Sequence, residues 1–182
     1  TTAASVVLRN VRGRGGVVHA GKVTGVAAIK DILLFADNGA SKVLSFLDCG
    51  LPSTCYRQDV PEVAQLLLGH LAQESPDLIV LEMGDGLMGE YGVDDVLGDP
   101  AFVKHVRGAI LAAHDVIGAV AAAARLRDYG VDVKLVTGPC TDNAAGTRKL
   151  ESMGLRAANI LVEPARATAL AIEGLLPGGD AG

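Results

Sequence analysis

LIVLEMGDGLMGEYGVDD, residues Leu78 to Asp95, begins as a strand and changes character halfway. Four consecutive apolar residues, Leu78-Ile79-Val80-Leu81, run into a carboxylate, Glu82. Three glycines (Gly84, Gly86, Gly89), two further acids (Asp85, Glu90) and Tyr91 follow. A strand with one wet face alternates apolar and polar residues, whereas an unbroken apolar run suits a strand covered on both faces, as in a parallel sheet between helices. A plain turn accounts for the glycines. A site that holds a cation and an anionic ligand accounts for the acids as well.

The rest of the chain repeats this pattern. Amphipathic spacing predicts helices over 1–12, 27–37, 60–73, 116–129, 143–153 and 164–175, with a shorter one over 100–107. Continuous apolar runs predict strands over 17–20, 43–47, 77–83, 109–113 and 131–136, and a short last one over 157–161. Alternating strands and helices predict an α/β fold, a three-layer and mostly parallel sheet with helices on both faces. There is no internal repeat, and no linker divides residues 1–176, which read as one domain before a loose tail at 177–182.

Composition narrows the partners. The 182 residues are 49% hydrophobic and only 3% aromatic, so the core is built from Val, Ile, Leu and Ala. The net charge of -5 argues against a nucleic-acid surface, which needs a basic excess. No apolar run has the length of a membrane span, and no signal peptide is evident. Cys49, Cys55 and Cys140 have no zinc spacing and read as reduced, cytoplasmic thiols. The chain opens on Thr1-Thr2, without methionine and directly in helical sequence, as expected of a processed or partial chain.

In an open parallel sheet ligands bind beyond the C-terminal strand ends. Those ends carry Lys22 and Thr24; Asp48, Ser53 and Thr54; Glu82, Asp85 and Glu90; His114 and Asp115; and Thr137, Thr141, Asp142 and Asn143. Glu82 is read as a metal-facing carboxylate rather than the start of a turn, because burying it unpaired is costly. Asp31 points to the same cation or to solvent. Lys22 holds an anionic group or is solvated. Cys140 has no histidine partner to make it reactive. In TGPCTDN, residues 137–143, the Thr-Asp-Asn run caps the next helix or touches a ligand. The four histidines share no metal spacing.

No G-x-x-x-x-G-K-[ST] run occurs in the chain, and no G-x-G-x-x-G follows a strand. Yet a helix opening on Thr1-Thr2, then the K-V-T-G stretch at 22–25, an acid early in the next helix, E-M-G-D-G at 82–86 and a late Asn-containing loop come in a telling order. In that order the chain resembles P-loop NTPases of the dethiobiotin synthetase and cobyrinic acid a,c-diamide synthase group, specifically a poorly characterised bacterial branch, over nearly its whole length. The resemblance implies a chain truncated within its Walker A motif, lacking the first strand, which belongs in the middle of the sheet. It implies ATP or GTP and Mg²⁺ as cofactors. Thr1 would ligate Mg²⁺ with Asp31 and Glu82, and Thr2 would lie beside the phosphates. Lys22 and Thr24 would face the substrate and the transferred phosphoryl group. Gly84, Asp85, Gly86 and Glu90 would line the substrate, and Thr137, Pro139 and Asn143 the nucleotide base. The implied reaction activates a carboxylate or carbamate by phosphoryl transfer. The implied partners are a nucleotide and a small molecule, with no nucleic acid or membrane, and a homodimer is admitted. Asp85 and Glu90 exceed the group's pattern, so its substrate does not carry over. The alternatives are a non-catalytic nucleotide- or metabolite-binding module and a Rossmann-like metabolite enzyme.

Overall fold

The computed structural model describes residues 1–176, so the tail expected at 177–182 lies outside the described residues. The described residues form two compact units, Thr1–His105 and a second that begins at Val106.

The first unit runs α1 (Thr2–Gly13), β1 (Val18–Thr24), α2 (Ile29–Asp37), β2 (Lys42–Ser45), α3 (Val60–Ala72), β3 (Leu78–Met83), α4 (Val93–Gly98) and α5 (Pro100–Val103). Its sheet has the order β2-β1-β3, and both pairings are parallel. Strand β1 is central and buried at every position. Its side chains alternate between the two faces. His19 Nδ1 donates to the Leu71 carbonyl on α3 at 2.6 Å, whereas Lys22 reaches Asp31 on α2. The two helices therefore cover opposite faces of β1, as the unbroken apolar strands predicted.

Strand β1 is longer than expected. Gly21 reads as its end, but the strand continues through Lys22 to Thr24. Gly21 is there for close packing: a Cβ on it would lie 2.9 Å from Leu81 Cδ2 and 3.0 Å from Leu71 Cδ1. Strand β2 is shorter than expected. It ends in a 3₁₀ turn, Phe46–Cys49, closed by a capping box in which Asp48 accepts from Ser45 N at 2.7 Å and Ser45 Oγ accepts from Leu47 N at 3.2 Å. Beneath it Phe46 packs with Val63 and Leu67 of α3.

The second unit runs β4 (Ala109–Ala112), α6 (Val116–Asp128), β5 (Val133–Thr137), α7 (Ala144–Ser152) and α8 (Pro164–Ile172), with β4 and β5 parallel. Its core gathers Ala119 of α6, Val136 of β5, Leu150 of α7, and Cys140 and Ala157. The strand expected over 157–161 is reduced to one parallel bridge, Val136 to Ala157. Asn159 explains the early stop: its Oδ1 accepts from the Leu161 and Val162 amides and turns the chain. Among the described residues, the edge of β3 away from β1 and that of β4 away from β5 carry no strand.

Candidate functional site

The polar cluster of the first unit is built at the C-terminal ends of β1 and β3. Their register sets Lys22 opposite Glu82. Lys22 therefore projects from a strand rather than from the strand-to-helix loop that the sequence suggested. Its ammonium forms an ion pair with Asp31, and the two side chains are 9% and 12% exposed. Burial pushes the Asp31 carboxyl upward, but the Lys22 hydrogen bond and charge, helped by Thr1, outweigh it and hold the carboxyl below its ordinary value. Thr1 Oγ1 donates to Glu82 Oε1 at 2.6 Å. The other carboxylate oxygen, Glu82 Oε2, is buried and has no hydrogen-bond partner.

The structure thus brings Thr1, Lys22, Asp31 and Glu82 together. Thr2 is exposed on the first turn of α1. Thr24 is fully buried, and its hydroxyl donates to the Gly84 carbonyl at 3.1 Å, a structural tie between the ends of β1 and β3. Asp85 and Gly86 both have positive φ, 69° and 84°, in a turn immediately after β3. A Cβ on Gly25 would lie 2.8 Å from Asp85 Oδ2 and 3.5 Å from Lys22 Cε. The Asp85 carboxylate and the Lys22 stem therefore both border Gly25, whose φ of 119° suits glycine. Glu90 is exposed, and its carbonyl accepts from Tyr56 N at 2.8 Å.

Among the described residues no group of three His, Cys, Asp or Glu side chains is placed to hold a metal. That rules against a site made of protein ligands alone, such as a structural zinc site. It does not conflict with Mg²⁺, which keeps its waters and uses one or two carboxylates beside phosphate oxygens. Glu82 Oε2 is the open oxygen of this cluster, while the Thr1 hydroxyl donates to Oε1 and Asp31 is paired with Lys22.

The remaining predicted residues lie in the second unit. Thr137 is buried, and its Oγ1 accepts from Ile160 N at 3.1 Å. Pro139 opens a 3₁₀ turn, and Asn143 Oδ1 accepts from Gly146 N at 2.9 Å as the N-cap of α7. The capping alternative for this loop is therefore realised at Asn143. Cys140 is buried, its Sγ donates to the Thr137 carbonyl at 3.3 Å, and burial raises its thiol pKa, as suits a structural cysteine.

No protein-family model matches the chain, and no curated protein matches it in sequence. Among solved structures it is similar to the signal recognition particle 54 kDa protein of Aeropyrum pernix K1 in complex with GDP, at a TM-score of 0.56 and 18% identity. The match covers 96% of this chain and 44% of that one, so this chain spans less than half of the neighbour's length. The chain shares the α/β fold of that protein. At this identity the match speaks for the fold alone, and it does not single out the dethiobiotin synthetase group. No helix among the described residues is long and apolar enough to cross a membrane.

The sequence placed Thr54 among the strand-end residues and Gly25 in the K-V-T-G stretch but gave neither a role. A threonine inside a loop carries no pattern, and the demand on Gly25 comes from a φ of 119° and from Asp85 beside it, both set by the folded loops.

Proposed function

We propose that the first unit binds a magnesium–nucleotide complex and supports phosphoryl transfer to a carboxylate or carbamate, as in the dethiobiotin synthetase group. One observation carries this reading: Glu82 Oε2 is buried without a partner, while Oε1 is engaged by Thr1 and a second carboxylate, Asp31, lies beside Lys22. A buried, unpaired carboxylate oxygen is costly, and a hard cation relieves that cost. The fold supports the same reading, because its solved neighbour is in complex with GDP.

In this proposal Thr1, Glu82 and Asp31 hold Mg²⁺, which would neutralise phosphate charge and orient the phosphoryl group. Lys22 is a compact cation for the transferred phosphoryl oxygens, and Asp31 holds its ammonium in place. Asp85 and the glycines around it form the substrate wall. The binding-module alternative draws on one feature, that the Lys22 ammonium is already occupied by Asp31. Turnover separates the two readings.

The test is calorimetric titration of the full-length gene product with ATP, with and without Mg²⁺, in the wild type and Glu82→Gln. Glutamine keeps the shape and removes the charge. The expected result is magnesium-dependent binding that weakens at least tenfold in Glu82→Gln. Equal magnesium dependence in both proteins would overturn the assignment of Glu82.

A further inference from the structure

Thr54 is fully buried in the loop between β2 and α3, and its contacts reach two other strand-end loops. Its Oγ1 accepts from Gly25 N at 2.9 Å and donates to the Tyr91 carbonyl at 2.9 Å. Its own amide donates to the Gly25 carbonyl at 3.1 Å. Gly25 is thus clamped from both its N–H and its C=O by one residue. Two residues on, Tyr56 N donates to the Glu90 carbonyl at 2.8 Å, a second tie to the loop after β3. Gly25 is also the residue over which the Asp85 carboxylate lies.

We propose that Thr54 is the positioning residue of the site: its hydroxyl locks the loop after β3 onto the turn after β1, and so fixes the Asp85 wall and the approach to α2, which carries Asp31, relative to Lys22 and Glu82 on the paired strands. The proposal deepens the reading of Glu82, Asp31 and Lys22 as a cation and phosphoryl site, and rests on it. The chemistry requires a hydroxyl here. Gly25 N–H needs an acceptor and Tyr91 C=O needs a donor, and of small side chains only Ser and Thr supply both from one atom at full strength. Without that atom both main-chain groups lose their partner in a buried place, and each loop is free to relax separately. Asp31 follows Gly25 by six residues, on α2, so a cation held between Asp31 and Glu82 would lose its fixed geometry in the same event.

The experiment compares the wild type with Thr54→Ser, Thr54→Cys and Thr54→Val in the full-length protein. Mn²⁺ is the probe for the cation, read by titration calorimetry. Amide hydrogen exchange of the segments 24–27, 52–57 and 84–91 is read with and without Mn²⁺. In the wild type Mn²⁺ slows exchange in all three segments. In Thr54→Val Mn²⁺ binding weakens at least tenfold, and the three segments exchange faster together while strands β1 and β3 keep their protection. Thr54→Ser restores both readouts. Thr54→Cys, a weak donor and acceptor, falls between, and it decides the question if Thr54→Val does not fold. Wild-type Mn²⁺ affinity in the valine or cysteine variant overturns the proposal. Faster exchange confined to 24–27 overturns it too. If the wild type itself takes up no Mn²⁺, the cation reading of the site fails. Joint loosening of the three segments then still tests the tie made by Thr54.

Discussion

Replacing Lys22 by methionine separates the charge of this site from its packing. Methionine keeps most of the apolar stem and removes the ammonium. The pair it breaks has side chains only 9% and 12% exposed, so solvent screens it poorly. Asp31 is left charged at the edge of the core with its main partner gone. Removing one partner of a buried pair costs about 3–5 kcal/mol. For a chain of this size each kcal/mol corresponds to about 2–4 °C in Tm, so a fall of roughly 6–20 °C is expected. The assay is thermal and urea unfolding at pH 7 in the absence of divalent ions. The pH dependence provides an internal check. The Asp31 carboxyl is held below its ordinary value of 3.8 in the folded state. Its contribution to stability is therefore fully present above that value and is lost as the pH falls through the lower folded value. Lys22→Met removes the main cause of the depression, so the variant's disadvantage shrinks as the pH drops below 3.8. In the double variant Lys22→Met/Asp31→Leu much of the stability returns, because no uncompensated charge remains. A loss below about 1 kcal/mol for Lys22→Met, the range of a surface ion pair, would refute the reasoning.

Gly146→Ala lies in helix α7, where alanine is intrinsically favoured by about 1 kcal/mol. Here the sign is expected to reverse: a Cβ would lie 2.2 Å from the Cys140 carbonyl oxygen, a backbone atom that cannot swing away. Overpacking of this kind costs about 1–3 kcal/mol, so urea unfolding that shows Gly146→Ala to be more stable than wild type would contradict the packing described. Asn143→Ala removes the α7 N-cap bond to Gly146 N and is expected to cost about 0.5–2 kcal/mol, with Asn143→Asp close to wild type. Urea unfolding checks this, and an Asn143→Ala variant as stable as wild type would contradict the capping role.

Strand identity was legible because it depends on composition within a short window. Leu78-Ile79-Val80-Leu81 and Ala109-Ile110-Leu111 are unbroken apolar runs, and both form parallel strands. Helix ends were legible to within a few residues wherever a breaker stood there, as at Gly130 after α6 and Gly154 after α7, both with positive φ. Two features were not. Gly21 looks like a stop, yet it lies inside β1, because what decides its role is the approach of Leu71 and Leu81 from other elements. Residues 93–98 form a short helix whose Val93, Val96 and Leu97 are buried, and two acids and a glycine-rich approach masked that pattern.

The sequence by itself determined the α/β class, the parallel sheet and the strand ends at which acids and a lysine gather. These follow from periodicity and from where apolar runs stop. Tertiary structure alone decided how those charges meet. The register of β1 on β3 sets Lys22 opposite Glu82. The packing of α2 turns Asp31 onto the lysine, and Thr1 covers one oxygen of Glu82 and leaves the other bare. Thr54 and Gly25 acquire a role only through loops that are remote in sequence. Nothing local in a threonine or a glycine encodes a partner some thirty to sixty residues away, because such contacts are set by the fold as a whole.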